Sequence, residues 1–432
     1  MLAGRVKWTY PAAGPTTSSC SGYLRGVVVA VFVAPYLLDA TTRFVEATAR
    51  LPGIELAVVT CEQEDHLPPG VRRAVAAHWR ISDALDAGQV ASAVQAVGER
   101  LGPVQRVLAV LEQLQVPIAQ VREHLGIAGI GVATARNFRD KAQMKSVLRA
   151  AGVPCARHRL ADSAAAAASF AEEVGFPLVV KPPAGAGAKS TFRLDDANDL
   201  RVWLEAAPPA PDRLALLEEF LTGKEGSYDS VMVEGRIVWD SISSYLPTPL
   251  EVLRNPWIQW MVLMPSNIGG PEYENIRGIA PTALRALGLN TGLTHMEWFR
   301  RPDGTVAVSE VAIRPPGAQI TSMLCYAYDF DLYSAWAQLM VHGSFAPPER
   351  RWSVGTVFLR GQGRGHVLAV HGLDTLPPEV SSLVVESRLP EPGQLSSDSY
   401  EGDGYVILRH PDTAVVEDAM RNLVTGVRIE LG

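Results

Sequence analysis

Residues Phe176–Leu194 read FPLVVKPPAGAGAKSTFRL, and this stretch decides the fold. Its apolar run Leu178–Lys181 predicts a buried strand that ends on a lysine. Small residues follow in the loop 184–190, where backbone N–H groups approach an anion closely and form a concave nest for phosphate oxygens. Thr191–Leu194 again indicates a strand. A strand, a glycine-rich loop and a second strand predict a flap that closes over phosphates, with the charge of Lys181 beside it.

A P-loop is the main alternative for the same residues. That motif needs glycine before its lysine, but Ala188 precedes Lys189. It also needs a helix after the loop, where Thr191–Leu194 resembles a strand. A plain hairpin turn stays open, because a glycine-rich loop after a strand is weak support by itself.

Composition restricts the classes of protein to consider. The 432 residues are 47% hydrophobic and 20% charged, with a net charge of −7, which suggests two to four globular domains. Because no basic run stands out, we expect no nucleic-acid partner. The four cysteines form no C-x-x-C pair, which favours a reducing cytoplasm. The apolar run Val27–Val33 is too short to span a bilayer, so we interpret it as a buried strand and expect no membrane association; a signal peptide is the alternative for this run.

The first part of the chain alternates strands with helices. Residues 1–23 are rich in Pro, Ser, Thr and Gly and are interpreted as a loose leader. A parallel sheet with helices on its faces is expected over 24–135. The runs that carry this prediction are, in chain order, Val27–Val33, Tyr36–Arg50, Ile54–Thr60, Ala87–Leu101 and Val107–Leu111.

Helix caps and a hairpin organise the remainder. Asn137 or Asp140 caps a helix that stops before Gly152, and a second helix opens near Asp162 or Ser163. The segments Thr294–Arg300 and Val306–Ala312 predict a hairpin around Pro302-Asp303-Gly304. Short strands and one helix predict a small C-terminal α+β domain over 346–432.

Several of these motifs, taken in order, carry a family resemblance. Arg139-Asp140-Lys141, its helix and Ala151-Gly152-Val153-Pro154 precede the glycine-rich flap, and Leu217-Glu218-Glu219-Phe220-Leu221 follows it. From about Gly26 to Gly343 the chain resembles the ATP-grasp superfamily, of the carboxylate–amine ligase type with a fold like biotin carboxylase and D-alanine–D-alanine ligase. The resemblance implies an α/β and α+β multidomain chain. Its parts would be a parallel-sheet pre-ATP-grasp domain (24–135), a two-lobed ATP-grasp domain (136–345, small lobe about 155–220) and a C-terminal accessory domain (346–432).

The same resemblance implies roles for individual residues. Glu297 and Glu310 match the paired metal-binding carboxylates, and Arg314 matches the basic catalytic residue beyond them. Lys181 is expected to assist catalysis as well as to bind phosphate. The residues expected to bind ATP are Lys141, Lys181, Gly185, Gly187, Lys189, Ser190, Glu218, Glu219, Leu221 and Glu225.

The chemistry of the acidic pair supports a metal. Mg²⁺ prefers oxygen ligands and is commonly held by one or two carboxylates together with ATP phosphates. ATP and Mg²⁺, with Mn²⁺ as a substitute, are therefore the implied cofactors. Many family members have asparagine two residues after the second glutamate, where this chain has Ala312, so one or two metal ions stay open. Solvated strand carboxylates are the alternative for Glu297 and Glu310.

The substrate side is less determined. Tyr245–Asn267 is rich in Trp, Pro and Met and indicates either an aromatic acceptor pocket or ordinary packing. Arg254, His295 and Arg314 are the candidate substrate contacts, with a structural histidine as the alternative for His295.

The expected function is ATP-dependent activation of a small-molecule carboxylate as an acyl phosphate and its coupling to an amine, with release of ADP and phosphate. A bicarbonate-activating carboxylase and a non-catalytic ATP-binding regulatory protein are the alternatives. A homodimer stays open.

Overall fold

The computed structural model describes residues 26–184, 191–255 and 257–432, and its first part is a four-stranded parallel sheet flanked by helices. The elements of this part are β1 Val28–Val33, α1 Asp39–Ala49, β2 Ile54–Thr60, α2 Pro69–Ala74, β3 Ala77–Arg80, α3 Ala87–Leu101, β4 Val104–Leu108 and α4 Gln115–Leu125. The strand order is β3-β2-β1-β4. All residues of β1 are buried, and alternate side chains enter two different cores. Both faces are covered, as a parallel sheet requires, which confirms the predicted architecture.

One strand lies three residues earlier than predicted. The pattern indicated Val107–Leu111, but β4 spans Val104–Leu108 and the chain then enters a 3₁₀ turn at Glu112–Leu114. The polar residues Gln105 and Arg106 hid the start of the strand. Their side chains have partners: Gln105 accepts from the Val29 N–H at 2.7 Å, and Arg106 donates to the Val341 carbonyl at 3.0 Å.

A small antiparallel sheet carries the glycine-rich loop. The next elements are α5 Val132–Arg139, α6 Lys141–Ala150, β5 His158–Ala161, α7 Ala164–Val174, β6 Leu178–Lys181, β7 Phe192–Leu194, α8 Ala197–Ala206 and β8 Ala215–Glu219. The strand order is β5-β8-β6-β7. Because β6 pairs antiparallel with β7, the loop between them connects two adjacent strands, as predicted. Asp140, not Asn137, caps α6, and Ser163 caps α7.

A long antiparallel sheet forms the centre of the molecule. Its part of the chain contains β9 Lys224–Val233, β10 Arg236–Leu246, α9 Pro249–Arg254, β11 Trp260–Met264, α10 Glu274–Ala286, β12 Gly292–Arg300, β13 Val306–Ala312, α11 Ile320–Tyr328 and α12 Leu332–His342. The predicted hairpin is the pair β12–β13. One face of the sheet packs on α6 and α10, and the other packs through α11 and α12 toward the N-terminal parallel sheet.

The C-terminal segment extends the same sheet. Its elements are β14 Ser353–Leu359, β15 Val367–His371, α13 Pro378–Ser381, β16 Val384–Arg388, β17 Gly404–His410, α14 Thr413–Gly426 and β18 Arg428–Leu431. The full order is β13-β12-β9-β10-β11-β14-β17-β16, and β15 pairs with β18. The sheet thus crosses the predicted boundary at residue 346, and the domain limits stay predictions. Within the described ranges, no helix has the length and apolar character to cross a bilayer.

Candidate active site

Helix α6 brings Lys141 to the hairpin. The Asp140 carboxylate accepts hydrogen bonds from the backbone N–H groups of Ala142 and Gln143, which fixes where the helix begins. The Lys141 ammonium then donates to Glu310 at 2.5 Å. The Lys141 N–H also donates to the Pro183 carbonyl at 2.9 Å, so the start of the helix contacts the loop that leaves β6.

The two hairpin glutamates face each other. Glu297 on β12 and Glu310 on β13 are direct partners in the strand register. Burial would raise the pKa of Glu310, but Lys141 and Lys181 outweigh it and hold the pKa at about 2. Burial and the charge of Glu310 raise the pKa of Glu297, while burial and Glu297 raise that of Glu225 well above its ordinary value. Three carboxylates therefore lie close together at this end of the hairpin.

Glu218 links two lysines beneath this pair. Its carboxylate lies 3.0 Å from the Lys181 ammonium and 3.4 Å from that of Lys145. Lys145 has 0% side-chain exposure and also donates to the Ser309 carbonyl at 2.8 Å. Burial alone would lower the pKa of Lys181, but Glu218 and Glu310 raise it. The sequence analysis expected Glu218 to bind ATP, and in the structure its side chain lies in this ion cluster.

Lys145 was not predicted. Its only local signal is a lysine one turn after Lys141, on the face that α6 buries. A charged residue in that position indicates a buried partner, which only the fold identifies as Glu218.

Strand β8 ends in a second set of charges. Glu219 pairs with Arg157 at 2.5 Å and with Arg301 at 3.3 Å. The backbone N–H of Glu219 donates to the Arg157 carbonyl and that of Phe220 to the Pro177 carbonyl. These two N–H groups therefore already have acceptors within the protein. Leu221, another residue expected to bind ATP, comes next in the chain.

Arg314 meets a carboxylate from the N-terminal sheet. Its Nε donates to Glu112 Oε2 at 2.6 Å, and the Arg139 Nη1 lies 3.9 Å from Oε1 of the same carboxylate. Glu112 follows β4 at the carboxyl end of the parallel sheet, where open α/β folds bind ligands. Sequence reasoning missed Glu112, and this topological rule is the signal that identifies it.

A buried histidine completes the face that carries Glu297. The side chain of His295 forms a 2.6 Å contact between Nδ1 and the fully buried Asp229 carboxylate. Its Nε2 lies 3.4 Å from the Tyr245 hydroxyl and 3.9 Å from Glu297. Burial would lower the pKa of His295, but Asp229 raises it. Ala312 stands opposite His295 in the register, so the position that is asparagine in many ATP-grasp proteins faces an imidazole here.

The other predicted site residues either lie away from the acidic hairpin or fall outside the described residues. Arg254 pairs with Asp195, which directly follows β7, at 2.9 Å, and 44% of its side chain is exposed. Gly185, Gly187, Lys189 and Ser190, like the leader 1–23, fall outside the described residues. A cavity of about 510 Å³ opens beside Glu225 and Ser243 at this end of the sheet.

Parts of the chain match known proteins. Residues 146–327 match the family model of the ATP-grasp domain. The L-arginine-specific L-amino acid ligase of Bacillus subtilis is 26% identical over 248 residues, which cover 56% of this chain and 59% of the ligase. The matched part therefore spans less than two thirds of that relative's length.

Two solved structures have the same fold. The L-amino acid ligase from Bacillus licheniformis gives a TM-score of 0.76 at 18% identity and covers 95% of this chain and 100% of its own. The biotin carboxylase domain of the Hydrogenobacter thermophilus 2-oxoglutarate carboxylase, solved with MgADP and bicarbonate, gives 0.64 at 16% identity, with 93% and 90% covered. Together with the opposed glutamates and their lysines, these matches lead to one conclusion: residues 146–327 form an ATP-grasp domain.

Proposed function

We propose that the chain is an ATP-dependent carboxylate–amine ligase that releases ADP and phosphate. One observation carries the proposal: two half-buried carboxylates, Glu297 and Glu310, oppose each other in one hairpin with Lys141, Lys181 and Arg314 around them. In this arrangement the lysines and a metal ion could hold the triphosphate of ATP. Arg314 would lie beyond it, next to the carboxylate that accepts the phosphoryl group.

The acidic pair fits Mg²⁺. Among the described residues, no group of three or more His, Cys, Asp or Glu side chains could hold a metal, so Glu297 and Glu310 would share it with phosphate oxygens and water. The raised pKa of Glu297 supports this, because a carboxylate beside another anion ionises fully once a cation is near. The metal would offset charge on the phosphates as the phosphoryl group moves. Mn²⁺ has similar ligand preferences.

The chain's own residues would act in a defined order. Lys141 and Lys181 bind the phosphates, and the γ-phosphoryl group passes from ATP to a carboxylate oxygen, which leaves ADP and an acyl phosphate. The amine nitrogen then attacks the acyl carbon, the C–O bond to phosphate breaks, and the nitrogen gives up a proton to solvent. Arg314 stabilises the negative charge that develops on the acyl oxygen, while Glu112 holds its guanidinium in place.

Activity with defined substrate pools tests the proposal. ADP and phosphate release from MgATP would be measured with pooled amino acids or other carboxylates, each with and without amines. We expect one carboxylate pool plus an amine pool to stimulate release, and we expect Glu310→Gln to lower kcat by about 100-fold or more. Glu386→Gln is the matched control, because Glu386 is also largely buried but binds Arg43 and two tyrosines away from the hairpin.

Other outcomes would select other functions. Stimulation by bicarbonate without any amine would replace the ligase by a carboxylase-type reaction. ATP binding without turnover in every pool would favour a regulatory protein, a reading to which Ala312 lends support. Loss of activity on chelation, restored by Mg²⁺ or Mn²⁺, would establish the metal requirement.

A further inference from the structure

Three aromatic side chains meet beside the acidic hairpin, and one of them comes from the C-terminal segment. The Trp260 ring lies 5.4 Å from Tyr245 and 4.7 Å from Tyr400 between ring centroids, both nearly perpendicular. Trp260 is 1% exposed and also stacks on Phe358 at 4.8 Å, which fixes its ring. We refer to Tyr245, Trp260 and Tyr400 as the aromatic wall.

The aromatic wall adjoins the proposed reaction centre. Its Tyr245 hydroxyl lies 3.4 Å from His295, whose imidazole is 3.9 Å from Glu297. Burial raises the pKa of Tyr400, the charges of Glu401 and Glu297 raise it further, and Arg314 opposes them. Tyr400 is therefore within electrostatic range of the groups that would hold the acyl phosphate.

The loop that carries Tyr400 is firmly anchored. The Asp403 carboxylate accepts from the Gly361 N–H at 3.1 Å and the Ser397 N–H at 2.6 Å. Gly402 has φ +62°, and a Cβ there would lie 2.3 Å from the Leu359 carbonyl oxygen, so the loop presses directly on β14. Tyr400 itself is half-buried, so it packs against Trp260 and still keeps some solvent-exposed surface.

We propose that the aromatic wall, and Tyr400 in particular, selects the side chain of the carboxylate substrate in favour of apolar and aromatic groups. This inference rests on the proposed ligase function, because it takes the acid to bind at Arg314 and the metal carboxylates, which lie near Tyr245 and Tyr400. An apolar substituent that packs on the half-buried ring of Tyr400 leaves water, whereas a charged substituent there would lose its hydration. A single methylene in such a pocket changes kcat/KM by about 10- to 200-fold.

Hydroxylamine trapping isolates the choice of acid. Hydroxylamine attacks the acyl carbon through nitrogen and expels phosphate, so every acid meets the same nucleophile and yields a hydroxamate. The rates would be compared for glycine, L-alanine, L-leucine and L-phenylalanine with MgATP. We expect the wild type to prefer phenylalanine or leucine to glycine. Tyr400→Ala should reduce that ratio of kcat/KM at least about tenfold while the KM for ATP stays within about twofold.

Two further variants serve as checks. Tyr400→Trp should narrow the pocket and penalise phenylalanine more than alanine. Tyr405→Phe is the matched control, because it removes a hydroxyl that binds Glu386 on a neighbouring strand outside the wall, and its acid ranking should equal that of the wild type. If Tyr400→Ala and Tyr400→Trp both keep the wild-type ranking, the inference is overturned. It is also overturned if Tyr400→Ala alters only the ranking of amine nucleophiles.

A binding measurement separates this inference from the ligase proposal. Calorimetric titration of the same acids into protein saturated with Mg²⁺ and a non-hydrolysable ATP analogue needs no turnover. If no acid yields hydroxamate but Tyr400→Ala still flattens the binding order, the ligase reaction fails and the selective wall stands. An unchanged binding order in Tyr400→Ala would refute the wall even where hydroxamate forms.

Discussion

Replacing Glu218 by glutamine tests whether its charge, rather than its shape, holds strand β8 to helix α6. The carboxylate bridges Lys181 at 3.0 Å and Lys145 at 3.4 Å, with side-chain exposures of 6%, 11% and 0% respectively. The neutral amide of the Glu218→Gln variant would keep the volume and leave both ammonium groups without their carboxylate. Removing one partner of a buried ion pair costs about 3–5 kcal/mol, so we expect the free energy of unfolding to fall by that amount.

Replacing Lys145 tests the same ion cluster with a smaller expected loss of stability. Lys145→Met should cost less, about 1–3 kcal/mol, because Glu218 keeps Lys181 and the methionine fills the space, although the Ser309 carbonyl loses its donor. In the double variant Lys145→Met/Glu218→Gln one of the uncompensated charges is gone. The two effects should therefore be non-additive by about 1 kcal/mol or more.

Urea unfolding without nucleotide, followed by circular dichroism and by tryptophan fluorescence, measures these differences. Glu219→Gln is the control on the same strand: Glu219 binds two arginines that are 32–49% exposed, and its loss should cost about 1 kcal/mol or less. Equal effects of Glu218→Gln and Glu219→Gln, within about 0.5 kcal/mol, would refute the reasoning, as would strict additivity of the double variant.

Two further predictions concern the site. Lys141→Met removes the charge that contacts Glu310, and we expect the KM for ATP to rise about 10- to 100-fold; an unchanged KM in steady-state ADP release would place Lys141 away from the phosphates. Asp229→Asn removes the carboxylate that raises the pKa of His295. Because that pKa is raised in the folded state, the associated stability is full below the unfolded value of 6.5 and is lost as pH rises through the folded pKa. The melting temperature of Asp229→Asn should thus fall furthest below that of the wild type near about pH 5.5 and approach it at about pH 9, and a constant difference would contradict this.

The local sequence pattern was sufficient to predict many of the helices and strands. The strand Leu178–Lys181, the hairpin that ends at Val306–Ala312 and the helix Ala87–Leu101 were predicted to within a few residues. Each depends on a period of two or 3.6 residues, on a turn or on a cap, which are properties of neighbouring residues. Where the apolar pattern was interrupted, as at Gln105 and Arg106, the prediction missed the start of β4.

The sequence by itself therefore determined the order of the elements, the glycine-rich connection between two strands and the acidic hairpin, because spacing along the chain encodes them. Only the tertiary structure decided which charges meet. Arg314 and Glu112 are 202 residues apart, and Lys145 finds Glu218 across two packed elements. Tyr400 reaches Trp260 only because the C-terminal strands continue the central sheet. A buried charge must have a partner, but its identity depends on which distant elements pack together, and no local period carries that information.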